Sequence, residues 1–472
     1  MKKKLLSDSF IYGLPGIIGK LISVITLPIY SNVLSKADFG FLGFYNSSFY
    51  LLLVIFQFGL DNASMRFFFD ENNKNKKAVI MNWILFQFII TLIFGLLFYI
   101  FNGLFIDKLY SLYQFNVNFF IVYFLVLISY ILPSIIEVYF RIQQKAIHAF
   151  TFAIVLTIIN VSSTYYFIVL ESKGYMGFIY GQLLSYSICS LLSILLLYKR
   201  ISFQQFNFGL LKKMLKYSAP IVPSTFMSIG ISWLANYAII ISNYGIEETG
   251  IYQMANTLAA VINLITSAFL QAYIPFSFSI MTKENSKTEY SKILNIYILL
   301  MCFVILGYSI FSYDILAIFI NKKFKESSVV IIFIVYYYFI ASLPTIINIG
   351  NTIKMNTTAY TKSMTVYTLI TSVLFFVLIP KLGAVGASIS MIVGQVFNLM
   401  ITYYYSQKNY PIQYNILKNF IVILFSVLLS IVFYFLFKDL TFSYYMFFVK
   451  IIGYVIIGIF ILYLNKKTIK GI

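Results

Sequence analysis

The chain is a succession of long apolar runs separated by short polar gaps. The runs fall at 9–34, 41–64, 78–101, 117–140, 147–170, 176–198, 214–242, 250–275, 292–313, 328–350, 360–380, 384–406, 415–437 and 443–464. At about 1.5 Å rise per residue each is long enough to cross the roughly 30 Å hydrocarbon core of a bilayer as a helix. The expected fold is all-α, a polytopic membrane protein of about 14 transmembrane helices. Every gap is short, so no sizeable soluble domain is expected on either side.

The first run, SFIYGLPGIIGKLISVITLPIYSNVL, places Lys20 near its middle. A lysine at a helix centre costs on the order of 3 kcal/mol on insertion scales, so it is expected to face water or a partner rather than lipid. Gly13, Gly16, Lys20 and Ser23 recur at i, i+3, i+7 and i+10, which puts them on one face. That face reads either as the cationic wall of a transport cavity or as a small-residue packing surface with Lys20 neutralised by a neighbouring helix.

Composition agrees with the pattern. The 472 residues are 61% hydrophobic and 10% charged, where a soluble globule carries about 25% charge. The formal charge of +19 does not imply nucleic acid: the 34 cations, all lysines except Arg66, Arg141 and Arg200, are scattered through the gaps without a basic domain. With the N-terminus placed in the cytoplasm, most of these cations fall in inward gaps, among them Arg66, Lys74, Arg141, Lys145, Lys199, Arg200, Lys212, Lys213, Lys216, Lys354 and Lys466. The outward gaps hold fewer, such as Lys36, Lys108 and Lys438, so both termini are expected inside. Lys2, Lys3 and Lys4 imitate a secretory signal, but the run that follows is too long and lacks a cleavage pattern. Cys189 and Cys302 lie in apolar runs and suggest neither a disulfide framework nor a zinc site.

A faint internal repeat is present. At an offset of 210, Asp38-Phe39-Gly40 and Asn46 lie over Glu248-Thr249-Gly250 and Asn256, and Asp61 over Gln271; at 209, Lys145 lies over Lys354, and Gly174 and Gly177 over Gly383 and Gly386. The expectation is a six-helix lobe at 1–205, a second of like orientation at 206–406, and two further helices with a tail at 407–472. Substrate sites of such repeats commonly lie between the lobes.

TLPIYSNVLSKADFG (26–40), FGLDNASMRFFF (58–69), YSAPIVPS (217–224), TGIYQMANTLA (249–259) and LIPKLGAVGAS (378–388) resemble the polysaccharide transporters, including Wzx-type flippases, of the multidrug/oligosaccharidyl-lipid/polysaccharide exporter superfamily. The resemblance covers nearly the whole chain. It implies two lobes around a central cavity, and flipping of an undecaprenyl-diphosphate-linked oligosaccharide from the inner to the outer leaflet of the bacterial cytoplasmic membrane, serving O-antigen, capsule or a similar polymer. Membrane lipids and polysaccharide polymerase machinery are the implied partners. One departure stands out: where many relatives carry an Asp-Arg pair after a tryptophan in the seventh helix, this chain has Trp233, Asn236 and Tyr237. Alternatives within the superfamily are a lipid II or teichuronic-type lipid flippase and a multidrug cation antiporter, which a mid-cavity lysine disfavours. A membrane glycosyltransferase or polymerase is disfavoured because the single histidine, His148, falls on the cytoplasmic side and the first outer loop is short.

The candidate site follows from these readings. Lys20, Arg66, Arg141, Lys354, Asn236 and Gln271 are candidates for the diphosphate and sugar, and Asp61 and Glu137 for a coupling proton or sodium ion. Each has a plainer structural role: anchoring at a helix end for the cations, an i, i+4 pair for Glu137 and Arg141, interhelical hydrogen bonds for the amides, including Asn256, Asn263 and Asn348. Lys450, near an outer end, is expected to snorkel to the interface. Tyr336-Tyr337-Tyr338 and Tyr403-Tyr404-Tyr405 are expected in interfacial belts. Gly13 to Lys20 has the wrong spacing for a nucleotide loop and lies in a span, so no cofactor is implied and transport is expected to be secondary.

Overall fold

The computed structural model describes residues 2–69, 76–100, 117–198, 203–354, 358–437 and 443–464, and is helical with no strand among them. Lys74, Lys108, Lys199, Arg200, Lys438 and Lys466 lie outside the described residues. Among the described residues twelve helices are long and apolar enough to cross a membrane. One of these contains two of the runs read from the sequence, and Tyr444–Leu464 is a further helix, so each of the fourteen runs holds one span-length helical segment, two of them with a shorter helix besides. By packing, the chain divides into two compact units, Met1–Ser23 with Val33–Asn236, and Val24–Asn32 with Tyr237–Ile472.

The first unit begins on α1 (Lys2–Val33), whose N-terminal part belongs to it, and α2 (Lys36–Gln57). Ser35 and Asp38 start α2 with a reciprocal capping box, Ser35 Oγ accepting from the Asp38 amide at 3.0 Å and Asp38 Oδ2 from the Ser35 amide at 2.8 Å. The run expected at 41–64 does not stay a single helix. Phe58 and Gly59 are both left-handed (φ 48° and 65°) and split off α3 (Leu60–Phe68). Glycine suits position 59 because φ is positive there, and a Cβ would also press on Ser218 Cβ at 3.2 Å. α4 (Lys76–Ile100), α5 (Val117–Ile142) and α6 (Ala146–Tyr165) follow, α6 ending in a π-turn at Tyr166–Leu170, and then α7 (Tyr175–Leu197). The run read as one span at 214–242 is two helices, α8 (Phe208–Ser218) and α9 (Val222–Ile241). Pro220, with no N–H to give, sits in the turn between them. Leu60, Ala63, Val79, Trp83, Ile135 and Met214 form the core where α3, α4, α5 and α8 meet.

The second unit contains α10 (Gly245–Ile280), α11 (Ser286–Phe319), α12 (Ser327–Ile347), the short α13 (Ile349–Ile353), α14 (Thr358–Asn409), α15 (Ile416–Phe437) and α16 (Tyr444–Leu464). α14 joins two spans across Gly383. α15 shows the inverted logic of a bilayer helix: Leu417, Phe420, Leu424, Phe425 and Leu428 are exposed, while Asn419, Ser426 and Ser430 are buried. Apolar side chains gain nothing by leaving lipid, so hydrogen bonds and close packing hold the helix. Asn419 Nδ2 donates to Asn295 Oδ1 at 2.8 Å, and the Tyr336 hydroxyl meets Ser426 and Ser430 at 2.6 and 2.9 Å. Tyr336 is therefore a buried bonding residue rather than part of an interfacial belt, and Tyr338 likewise donates to Asn256 Oδ1 at 2.8 Å. Lys450 does not snorkel either. It is buried and paired with Asp314, whose reach from α11 removes any need to seek the interface.

Both units carry the same joint. In the first, Gly174 (φ 58°, ψ −143°) precedes α7, and Asp38 Oδ1 accepts the Tyr175 amide at 3.2 Å. In the second, Gly383 (φ 57°, ψ −133°) precedes the second half of α14, and Glu248 Oε1 accepts the Ala384 amide at 2.9 Å. These are the residues that the offsets of 210 and 209 align. Three residues on, Gly177 and Gly386 allow backbone to approach backbone: a Cβ on Gly177 would stand 2.8 Å from the Phe167 carbonyl, and one on Gly386 would collide with that of Leu378.

Candidate functional site

Lys20 lies on α1, partly buried, with no ion pair or hydrogen bond to any described residue. One turn earlier on the same face, Gly16 looks onto open space, and so does Gly19: a Cβ built at either meets no heavy atom within 4 Å. Ser23 Oγ donates back to the Gly19 carbonyl at 2.9 Å. The glycines therefore do not seat a neighbouring helix. The face beside the cation is open among the described residues.

Asp61 opens α3, partly buried, and both of its oxygens lie 3.3 Å from Asn62 Nδ2. Arg66, at the end of that helix, is exposed and lays its guanidinium 4.5 Å over the Tyr217 ring of α8. Glu137 and Arg141 stand one turn apart on α5, Glu137 partly buried and Arg141 exposed, and make no direct ion pair. Their role as an i, i+4 pair is at most a through-space one.

The amides are largely occupied. Asn236 is buried on α9, donating to Ser47 Oγ at 3.3 Å and the Ser232 carbonyl at 2.9 Å, while its Oδ1 has no partner among the described residues. Trp233, one turn away, donates to Ser48 Oγ at 3.1 Å, so both side chains fasten α9 to α2. Asn256, Asn263 and Asn348 accept from Tyr338, Ser267 and Asn351. Gln271 on α10 and Lys354 after α13 are exposed. Lys20, Asp61, Arg66, Glu137, Arg141 and Asn236 thus fall in the first unit, and Gln271 and Lys354 in the second. Among the described residues no three His, Cys, Asp or Glu side chains cluster as a metal site would require.

A family model described as polysaccharide biosynthesis protein matches residues 5–281. The chain belongs to that family. Among solved structures it is similar to lipid II flippase MurJ in an inward closed conformation, at 14% identity over 98% of this chain and 100% of that one, with a TM-score of 0.71. An inward-facing multidrug resistance MATE family transporter of the MOP superfamily aligns at 15% identity, 85% and 97% coverage and TM-score 0.64. A mutant of the Vibrio cholerae MATE transporter VcmN aligns at 11% identity, 86% and 96% coverage and TM-score 0.60. At such identities the likeness is one of fold, the fold of MurJ and the MATE transporters. No curated protein matches the chain in sequence.

Reading the sequence for charge at mid-run missed three acids. Asp38 and Glu248 were visible only as members of the repeat, and Asp314 stands just past the end of the run read at 292–313. An acid beside a left-handed glycine has no spacing signature when the two are more than a hundred residues apart.

Proposed function

We propose that this family member is a flippase that carries an undecaprenyl-diphosphate-linked oligosaccharide from the inner to the outer leaflet of a bacterial cytoplasmic membrane by alternating access of two lobes, without catalysing a reaction. The observation that carries the reading is Lys20, a cation within a span, with no ion pair among the described residues and beside the open face of Gly16. A diphosphate is the most charged and most constant feature of such a lipid, and a lysine in a low-dielectric setting holds it more firmly than one in water. Arg66, Arg141 and Lys354, all exposed, are further candidate ligands for the diphosphate, and Asn236 and Gln271 complete the candidate set. Both termini are cytoplasmic in this reading, Asp61 or Glu137 takes the coupling proton or sodium ion, and polymerase machinery consumes the product.

The likeness to a lipid II flippase over 98% of the chain, where the multidrug transporter aligns over 85%, favours a lipid-diphosphate cargo over an organic cation. It also keeps lipid II itself as a second reading. In proteoliposomes with defined lipid-diphosphate sugars, Lys20→Ala should lower flipping at least tenfold without changing thermal stability, and Lys20→Arg should restore most of it. Wild-type flipping by the alanine variant would overturn the assignment, and comparing lipid II with longer glycans separates the two cargoes.

A further inference from the structure

α8 is a short amphipathic helix between two spans. Leu211, Met214 and Ser218 recur at i, i+3 and i+7 and are buried against α3 and α4. Lys212, Lys213 and Lys216 form the opposite stripe, exposed and without an ion pair to any described residue. FGLLKKMLKYS contains no acid, so the cations, roughly 5–6 Å apart on one face, repel one another unless a surface of opposite charge meets them.

The helix is also fixed in place. Asn82, fully buried on α4, donates to the Asn207 carbonyl and accepts the Asn207 amide, both at 2.9 Å. Asn207 in turn caps α8 by accepting the Leu210 amide at 2.9 Å, and Arg66 covers Tyr217 at the other end. A gap that only needs positive charge to orient a membrane protein has no use for a buried asparagine holding its backbone. At the N-terminal end Phe206 and Phe208 are 41% and 68% exposed beside the lysine stripe. Exposed aromatics next to a lysine face are the makeup of a helix lying in the headgroup plane. Arg66, Lys76 and Lys77, on the α3 end and α4 start that pack with α8, extend the basic surface.

We propose that α8 is a docking surface for anionic phospholipid headgroups of the leaflet it adjoins. Lys212, Lys213 and Lys216 pair with lipid phosphates while Phe206 and Phe208 settle among the upper acyl carbons. A zwitterionic surface has no net charge to offer the stripe, whereas each lysine engaged by an anionic one gains a factor of about 5 in affinity.

The test reads contact rather than transport, so it stands apart from the flippase assay. Cys189 and Cys302 are buried, which leaves Gln204→Cys as the site that takes a bimane label. The full chain is reconstituted in phosphatidylcholine vesicles doped with dibrominated phosphatidylglycerol or dibrominated phosphatidylcholine. The anionic lipid should quench at a mole fraction about fivefold lower, an advantage that shrinks in high salt. Lys212→Gln/Lys213→Gln/Lys216→Gln should abolish it, the triple arginine variant should keep it, and Lys283→Gln/Lys287→Gln in the second unit should leave it unchanged. Equal quenching by the two lipids in the wild type, or an undiminished preference in the triple glutamine variant, overturns the proposal.

Discussion

The Lys450 ammonium lies 2.6 Å from Asp314 Oδ2, with both side chains buried, and ties α16 to α11. The Phe437 ring stands 4.9 Å from the same nitrogen. Nearby, Tyr454 stacks on Phe303 with ring centroids 4.5 Å apart and donates to the Phe303 carbonyl at 3.1 Å. Removing one member of such a pair strands a charge in an apolar setting at a cost of about 3–5 kcal/mol, while removing both costs far less. Lys450→Met and Asp314→Leu should each lower the unfolding temperature in detergent sharply, and the double variant should recover most of the loss. Simple additivity of the two single losses would contradict the pairing.

The acid-glycine joints predict a local effect in each unit. Asp38→Ala and Glu248→Ala each remove the acceptor for a helix-starting amide, at about 1 kcal/mol, and Asp38→Ala should cost more because it also removes the acceptor for the Ser35 amide in the α2 capping box. The local reading is sharper than the global one: amide exchange should accelerate at Tyr175 in the first variant and at Ala384 in the second. Unchanged protection at those amides would refute the bracing role.

Glycines divide by what surrounds them. Gly383→Ala forces a side chain into positive φ and within 2.6 Å of Glu248 Oε1, and Gly181→Ala would drive a methyl to 2.6 Å from the Thr164 Cα. Both should cost about 1–3 kcal/mol. Gly16→Ala meets nothing and should stay within about 0.5 kcal/mol of the parent in the same thermal assay.

Loss of the α8 tether is the fourth expectation. Asn82→Ala leaves the amide and carbonyl of Asn207 without their partner and should cost about 1–3 kcal/mol. Limited proteolysis at Lys212 and Lys213 should then run faster than in the parent, and an unchanged rate would count against it.

Run length carried the helix count, because a bilayer demands about the same stretch from every span. Hydropathy alone did not reveal the break at Phe58 and Gly59, where the apolar character continues but the backbone reverses its handedness. It merged α8 into α9 for the same reason, since the buried face of a short amphipathic helix adds to the run that follows. At the candidate site the pattern of Gly16, Lys20 and Ser23 was legible, but a small-residue stripe does not say whether another helix covers it; a Cβ at Gly16 meets no described atom within 4 Å. Lys450 was misjudged because its partner lies 136 residues away, a relation no local spacing encodes. Tyr336 was misjudged because Ser426 and Ser430, which receive it, belong to a helix that is apolar on average.

The joint shared by Gly174 with Asp38 and Gly383 with Glu248 draws every part it needs from its own half of the chain. A duplicated gene segment would therefore inherit the joint intact. Between the two joints the acid changes from aspartate to glutamate: the arm lengthens by one methylene while the amide it grips stays in register.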